Sequence, residues 1–182
     1  MQNQHNRQPV VATATRSGLV LGLVFVLLFA LWVGTVSFSP LIFIFLLGLP
    51  FVPLVSYRLA RAYVLSLRGQ GVEVRFMSIW SHTVMIFFFG TLVLLLPLYA
   101  YVRYMLPGVL EAMEQSMLDL FAQSPETKVG LERIYGRDPL SFITELRGVS
   151  VWTFLLSVVN MQVTIGAILG LINGFLLRRL GK

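Results

Sequence analysis

VWTFLLSVVNMQVTIGAILGLINGFLL, residues 151–177, decides the fold: 27 consecutive positions hold no Asp, Glu, Lys or Arg. At about 1.5 Å of rise per residue a helix over them outreaches a hydrocarbon core of about 30 Å. Working outward, three further stretches have the same character, residues 17–36, 40–56 and 83–101. The first two are separated only by Ser37-Phe38-Ser39 and should form a tight hairpin. The expected architecture is all-α: a polar N-terminal segment, residues 1–15, then one four-helix transmembrane domain over residues 16–182. The composition agrees, with 57% hydrophobic and 12% charged residues among 182. That balance excludes an ordinary water-soluble domain, and the length leaves no room for a soluble catalytic domain beside the spans.

A secretory signal is the competing reading of the first apolar run, because Arg7 and Arg16 precede it. The run approaches 20 residues and meets Trp32 and Val33 where a cleavage site would stand, so it reads as a retained span. Cysteine is absent, which removes disulfides, thiolate nucleophiles and soft metal sites.

The charges fix the expected orientation. Fourteen Lys or Arg against eight Asp or Glu leave +6. In a soluble chain that excess would raise nucleic-acid binding; here the basic residues border apolar runs, and no nucleic-acid partner is expected. Arg7, Arg16, Arg58, Arg61, Arg68, Arg75, Arg178, Arg179 and Lys182 fall on one side with a single acid, Glu73, while residues 99–150 hold five basic and seven acidic residues. By the positive-inside rule both termini are expected to be cytoplasmic (N-in, C-in). Arg58, Arg61, Arg68 and Arg75 form an inner basic surface suited to anionic lipid headgroups, worth about 1 kcal/mol per cation, or less plainly to an acidic protein. Trp80, Tyr99, Tyr101, Tyr104 and Trp152 flank the third and fourth spans as interface anchors. His82 reads as wetted at the inner boundary of the third span.

In the outer segment, residues 102–150, Leu106, Val109, Leu110, Met113, Met117, Leu120 and Phe121 recur at spacings of three and four, the period of an amphipathic helix. Pro107 suits its first turn and Ser124-Pro125 stops it. Asp138 and Pro139 open a second short helix that ends at Arg147-Gly148. Glu111 and Glu114 would be the only acid pair for catalysis there, and no histidine accompanies them.

No span carries a central ionisable residue, the usual mark of transport or proton movement. Gly166, Gly170 and Gly174 make a flat strip on one face of the fourth span, and Gly18 and Gly22 a shorter strip on the first; both predict close helix packing. A different face carries Thr153, Ser157, Asn160 and Thr164, about a third of a turn away, so this helix is expected to touch a second neighbour through polar contacts. Gln162 lies nearly opposite Asn160 and needs its own partner. Pro50, Pro53 and Pro97 should loosen the second and third helices. With only His5 and His82 present, no histidine metal motif can be assembled, and no cofactor is expected.

The order of these features resembles the bacterial membrane family known as domain of unknown function 4199. The resemblance runs from Arg16 to the end. It rests on Ser17-Gly18-Leu19-Val20-Leu21-Gly22, the inner Gly69-Gln70-Gly71-Val72, the exit Tyr99-Ala100-Tyr101-Val102-Arg103-Tyr104, an acidic amphipathic outer helix and a glycine-rich last span ending in basic residues. Leu106-Pro107 stands where the family often has Asp-Pro. The resemblance implies a four-helix inner-membrane protein of diderm bacteria without an assigned activity, and brings no catalytic residues. The leading expectation is a non-enzymatic accessory, anchoring or assembly subunit whose partners are other membrane subunits, as a hetero- or homo-oligomer. The alternative is a small oligomeric carrier or lipid-handling protein using the polar face of the fourth span.

Overall fold

Backbone groups in hydrocarbon find no water, so apolar segments of this length must close their hydrogen bonds internally, and helices do so. The computed structural model describes residues 8–178, with side chains from residue 11; Arg7, Arg179 and Lys182 of the basic set lie outside the described residues. Among these the chain is helical without a strand. Four helical courses are long and apolar enough to cross a membrane: Val11–Gly34, Leu41–Gly69, Phe76–Gln123 and Val151–Leu177. The chain divides into two compact units, residues 1–96 with 158–182, and residues 97–157.

The first unit holds α1 (Gln8–Gly34), α2 (Leu41–Gly48), α3 (Phe51–Gly69), most of α4 (Phe76–Ala100) and the larger part of α8 (Val151–Leu177). Helix α1 begins before the apolar run, at Gln8, and α4 begins at Phe76. A span boundary read from hydropathy marks where lipid begins, whereas a helix continues as long as its backbone bonds do. Between α2 and α3, Leu49 and Pro50 keep right-handed helical torsions. Pro50 has no amide hydrogen, so the ladder breaks there while the direction holds. Helix α3 ends in a Schellman turn, with Val72 N donating to Leu67 O at 3.1 Å and Gly71 N to Arg68 O at 2.9 Å. Gly71 takes φ +71°, which a side chain would strain. One core cluster joins Ala14, Leu21 and Phe25 of α1 to Ile86, Phe87 and Leu94 of α4. A second joins Ala60 and Val64 of α3, Val74, Ile79 of α4 and Leu177 of α8.

In the second unit a π-helical turn, Tyr101–Met105, follows Pro97 by one turn and leads into α5 (Leu106–Gln123), α6 (Pro125–Tyr135) and α7 (Pro139–Gly148). Pro97 removes one ladder bond and the wider turn absorbs the mismatch, so the third helical course runs on to Gln123 instead of breaking at Tyr101. Ser124 leaves helical torsions and ends α5. Gly136 closes α6 at φ +69°. The Asp138 carboxylate caps α7 by accepting from Leu140 N at 3.1 Å. The apolar stripe of α5 is covered in part: Leu110 and Phe121 are buried, as is Ile143 of α7, while Met113 and Leu120 stay exposed. Arg147 of α7 reaches Glu114 of α5 at 2.5 Å.

Candidate functional site

Packing in hydrocarbon gains nothing from expelling lipid, so close backbone approach must supply the contact energy. Helix α4 receives both glycine strips. A Cβ on Gly22 would lie 2.7 Å from Val93 Cβ and 2.9 Å from Gly90 O, and one on Gly18 would lie 2.5 Å from Phe89 Cβ. Gly90 reciprocates: its own Cβ would meet Gly18 O and Gly22 N at 3.2 Å each. On the other strip, Gly166 faces Phe87, Gly170 faces Trp80 and Thr83, and Gly174 faces the Phe76 ring. The α1 and α8 strips thus do not partner each other; each packs on α4. Gly90 was missed because one glycine after Phe87-Phe88-Phe89 carries no repeat, although its small size among aromatics was the available signal.

Polar side chains bind the same helices at buried positions. Asn173 Nδ2 of α8 donates to Ser56 Oγ of α3 at 3.1 Å, both residues being buried. Trp80 Nε1 donates to Ala167 O at 3.1 Å, so Trp80 ties α4 to α8 in addition to any interfacial role. His82 is fully buried, its ring stacked on Tyr63 of α3 with centroids 3.9 Å apart and planes 13° from parallel. This corrects the wetted reading of His82: the helix starts six residues earlier, which places His82 nearly two turns inside it. The Tyr63 hydroxyl is buried and has no hydrogen-bond partner among the described residues. An unmatched buried hydroxyl costs stability; Tyr63→Phe is accordingly expected to hold or raise the thermal midpoint, by the equivalent of about 1 kcal/mol, and a clear fall in a detergent melting curve would contradict it.

Sequence spacing on α8 put Asn160 and Thr164 against a second neighbour. In the structure they are exposed, so no helix of this chain among the described residues covers them. Thr164 Oγ1 donates to Asn160 O at 2.8 Å, which satisfies the hydroxyl within its own helix. Ser157, in the second unit, does the same to Thr153 O at 2.9 Å, and Thr153 shares a 2.8 Å bond with Ser150. The Asn160 amide has no partner among the described residues. At about 100° per residue, three faces follow around α8: the glycines, the Asn160–Thr164 face, and a face containing Ile165 and Gln162, each about a third of a turn on. The third face lines a cavity of about 710 Å³ with Phe25 and Phe29 of α1, Phe45 of α2 and Val52 of α3.

Arg58, Arg61, Arg68 and Arg75 are all exposed; Arg58 and Arg61 lie on α3 away from the buried Ala60, Tyr63 and Val64. Glu111 and Glu114 are on α5, and Glu114 is taken up by Arg147. Among the described residues no three His, Asp or Glu side chains gather where a metal ion could be held.

These features define a class: a chain all-helical among its described residues, with four helices of membrane-crossing length, in which α1 and α8 pack through their glycines on α4. The model of a family described as "Protein of unknown function (DUF4199)" matches residues 16–179, and the chain belongs to that family. Comparison with curated proteins and with solved structures gives no significant match.

Proposed function

We propose that the protein is a non-enzymatic integral subunit of a bacterial inner-membrane complex, with both termini cytoplasmic, that anchors or assembles its partner through the outward face of α8. The observation that carries this reading is Asn160, an amide without a partner among the described residues, exposed on a helix long and apolar enough to cross a bilayer. An amide left in hydrocarbon costs several kcal/mol, roughly, unless another helix or lipid headgroup answers it. Both glycine strips are consumed inside the chain, and the Asn160–Thr164 face is the polar one that α8 leaves open to a neighbour. The carrier alternative asks the same residues to line a passage, and their outward placement favours docking. Exposed arginines at the α3 end and before α4 fit the cytoplasmic assignment and contact with anionic headgroups.

A photoreactive amino acid placed at one position at a time from residue 156 to residue 172 inserts into C–H bonds of whatever lies beside it and needs no matching thiol on the partner. Cross-linking on irradiation in native membranes should peak at 160, 164 and 171, with the period of a helix, and give one product of defined mass. A flat profile, or product peaking on the Gly166–Gly174 face, would remove the proposal.

A further inference from the structure

We infer that the cavity between α1, the α2–α3 junction and α8 is a binding site for one acyl chain of a bilayer phospholipid. It goes beyond the docking role and uses a different face of α8. The space is a cleft open to the surroundings, of about 710 Å³, within the roughly 300–1,000 Å³ of small-molecule sites. Its wall is apolar almost throughout, with three aromatic rings of α1, Phe25, Phe29 and Trp32, facing Phe45, Val52 and Ile165. Water has no reason to enter such a wall, and every helix forming it belongs to a course long and apolar enough to cross a membrane. The fluid that surrounds it is therefore alkyl chain, present at far higher concentration than any other apolar solute.

Pro50 interrupts the ladder between α2 and α3 without turning the chain aside, and Leu49, Val52 and Pro53 at that junction all line the cavity. Phe25 is only 5% exposed and packs its ring 5.7 Å from Phe87, so the inner end of the cleft rests on the core while its mouth, at Trp32, Leu49, Met161 and Ile168, is open. Gln162 is the one amide in the wall, half-buried and without a partner among the described residues. A lipid carbonyl or hydroxyl offers the hydrogen bond that the wall does not. Burial of an alkyl chain here replaces bulk lipid contacts by aromatic ones, so selectivity for a bound chain comes from fit and from Gln162, not from hydrophobicity.

The test uses the full chain in vesicles of phosphatidylethanolamine and phosphatidylglycerol containing a trace of phosphatidylcholine with a diazirine on one acyl chain. After irradiation, adducts are mapped by peptide mass spectrometry. Phe25 and Ile165 are expected to be labelled at least as heavily as Leu47 and Leu96, which are 73% and 79% exposed. Val52→Phe should lower labelling of Phe25 several-fold and leave Leu47 unchanged. Ile168→Phe, at a position lining the cavity yet 54% exposed, gives the same reading if Val52→Phe does not fold. Labelling in proportion to exposure, with Phe25 unmarked, would overturn the site; so would a diazirine fatty acid that labels it in preference to the phospholipid, since the occupant would then not be a bilayer lipid. Cross-linking through α8 is read separately, so failure of the docking role and failure of this site are distinguishable.

Discussion

Gly22→Leu is expected to unfold the helical core of the first unit or leave it grossly destabilised. The first added carbon alone would come within 2.9 Å of Gly90 O and 2.7 Å of Val93 Cβ, and neither is the free end of a flexible side chain. Relief requires α1 and α4 to separate, which strips dispersion contacts from Leu21, Phe25, Ile86 and Phe87 together. Overpacking of this kind costs about 3 kcal/mol or more, a fall in thermal midpoint of about 6–12 °C for a chain of this size. Gly108→Ala is the control: nothing lies within 4 Å of a Cβ there, and helix propensity predicts a gain of up to about 1 kcal/mol. Equal behaviour of the two variants in a melting curve would mean that the α1–α4 approach does not hold the unit together. Gly174→Ala should fall between them, because the atoms it would meet belong to the Phe76 ring, which can turn aside.

Asn160→Leu is expected to release the partner while the fold survives. The side chain is exposed and makes no hydrogen bond within the described residues, so its removal leaves the chain's own contacts intact. Polar pairs between membrane helices contribute about 1–2 kcal/mol in model peptides, at most about 1.7 in mutant cycles, which corresponds to roughly 5- to 20-fold in an association constant. Energy transfer between labelled subunits in vesicles measures that change. Thr164→Val should alter it far less, because the Thr164 hydroxyl is already bonded to Asn160 O at 2.8 Å. An unchanged constant for Asn160→Leu, with the melting curve also unchanged, would show that this face meets lipid alone.

The contrast between Asn160 and Asn173 shows where reading the sequence stops. Both are amides in one apolar helix, and neighbouring letters do not separate them. Asn160 stood out because Thr153, Ser157 and Thr164 share its face, yet the structure leaves it outside and buries Asn173 on Ser56, 117 positions away along the chain. Spacing gives the angle between two side chains on a helix but not the direction in which the helix is turned. His82 fails for a related reason. Hydropathy marked the third span from residue 83, while the helix begins at Phe76 and carries His82 into the packed interior beside Tyr63. The cavity was not legible at all: its walls come from residues 25–53, 94 and 161–169, and no local pattern records the space left between separate segments.

Charge-free runs of about twenty apolar residues have one stable solution in a bilayer, so the number of membrane-length helices and the all-helical class follow from the sequence by itself. The glycine spacings likewise fixed that α1 and α8 each have a flat face, because a missing side chain is a local property. That both flat faces lie on α4, that Gly90 completes the first of them, and that α8 divides its surface among packing, an open polar face and a cavity wall were decided only in the tertiary structure. Each of those depends on the rotation of one helix against another, and that rotation is set by the fit of all their side chains at once.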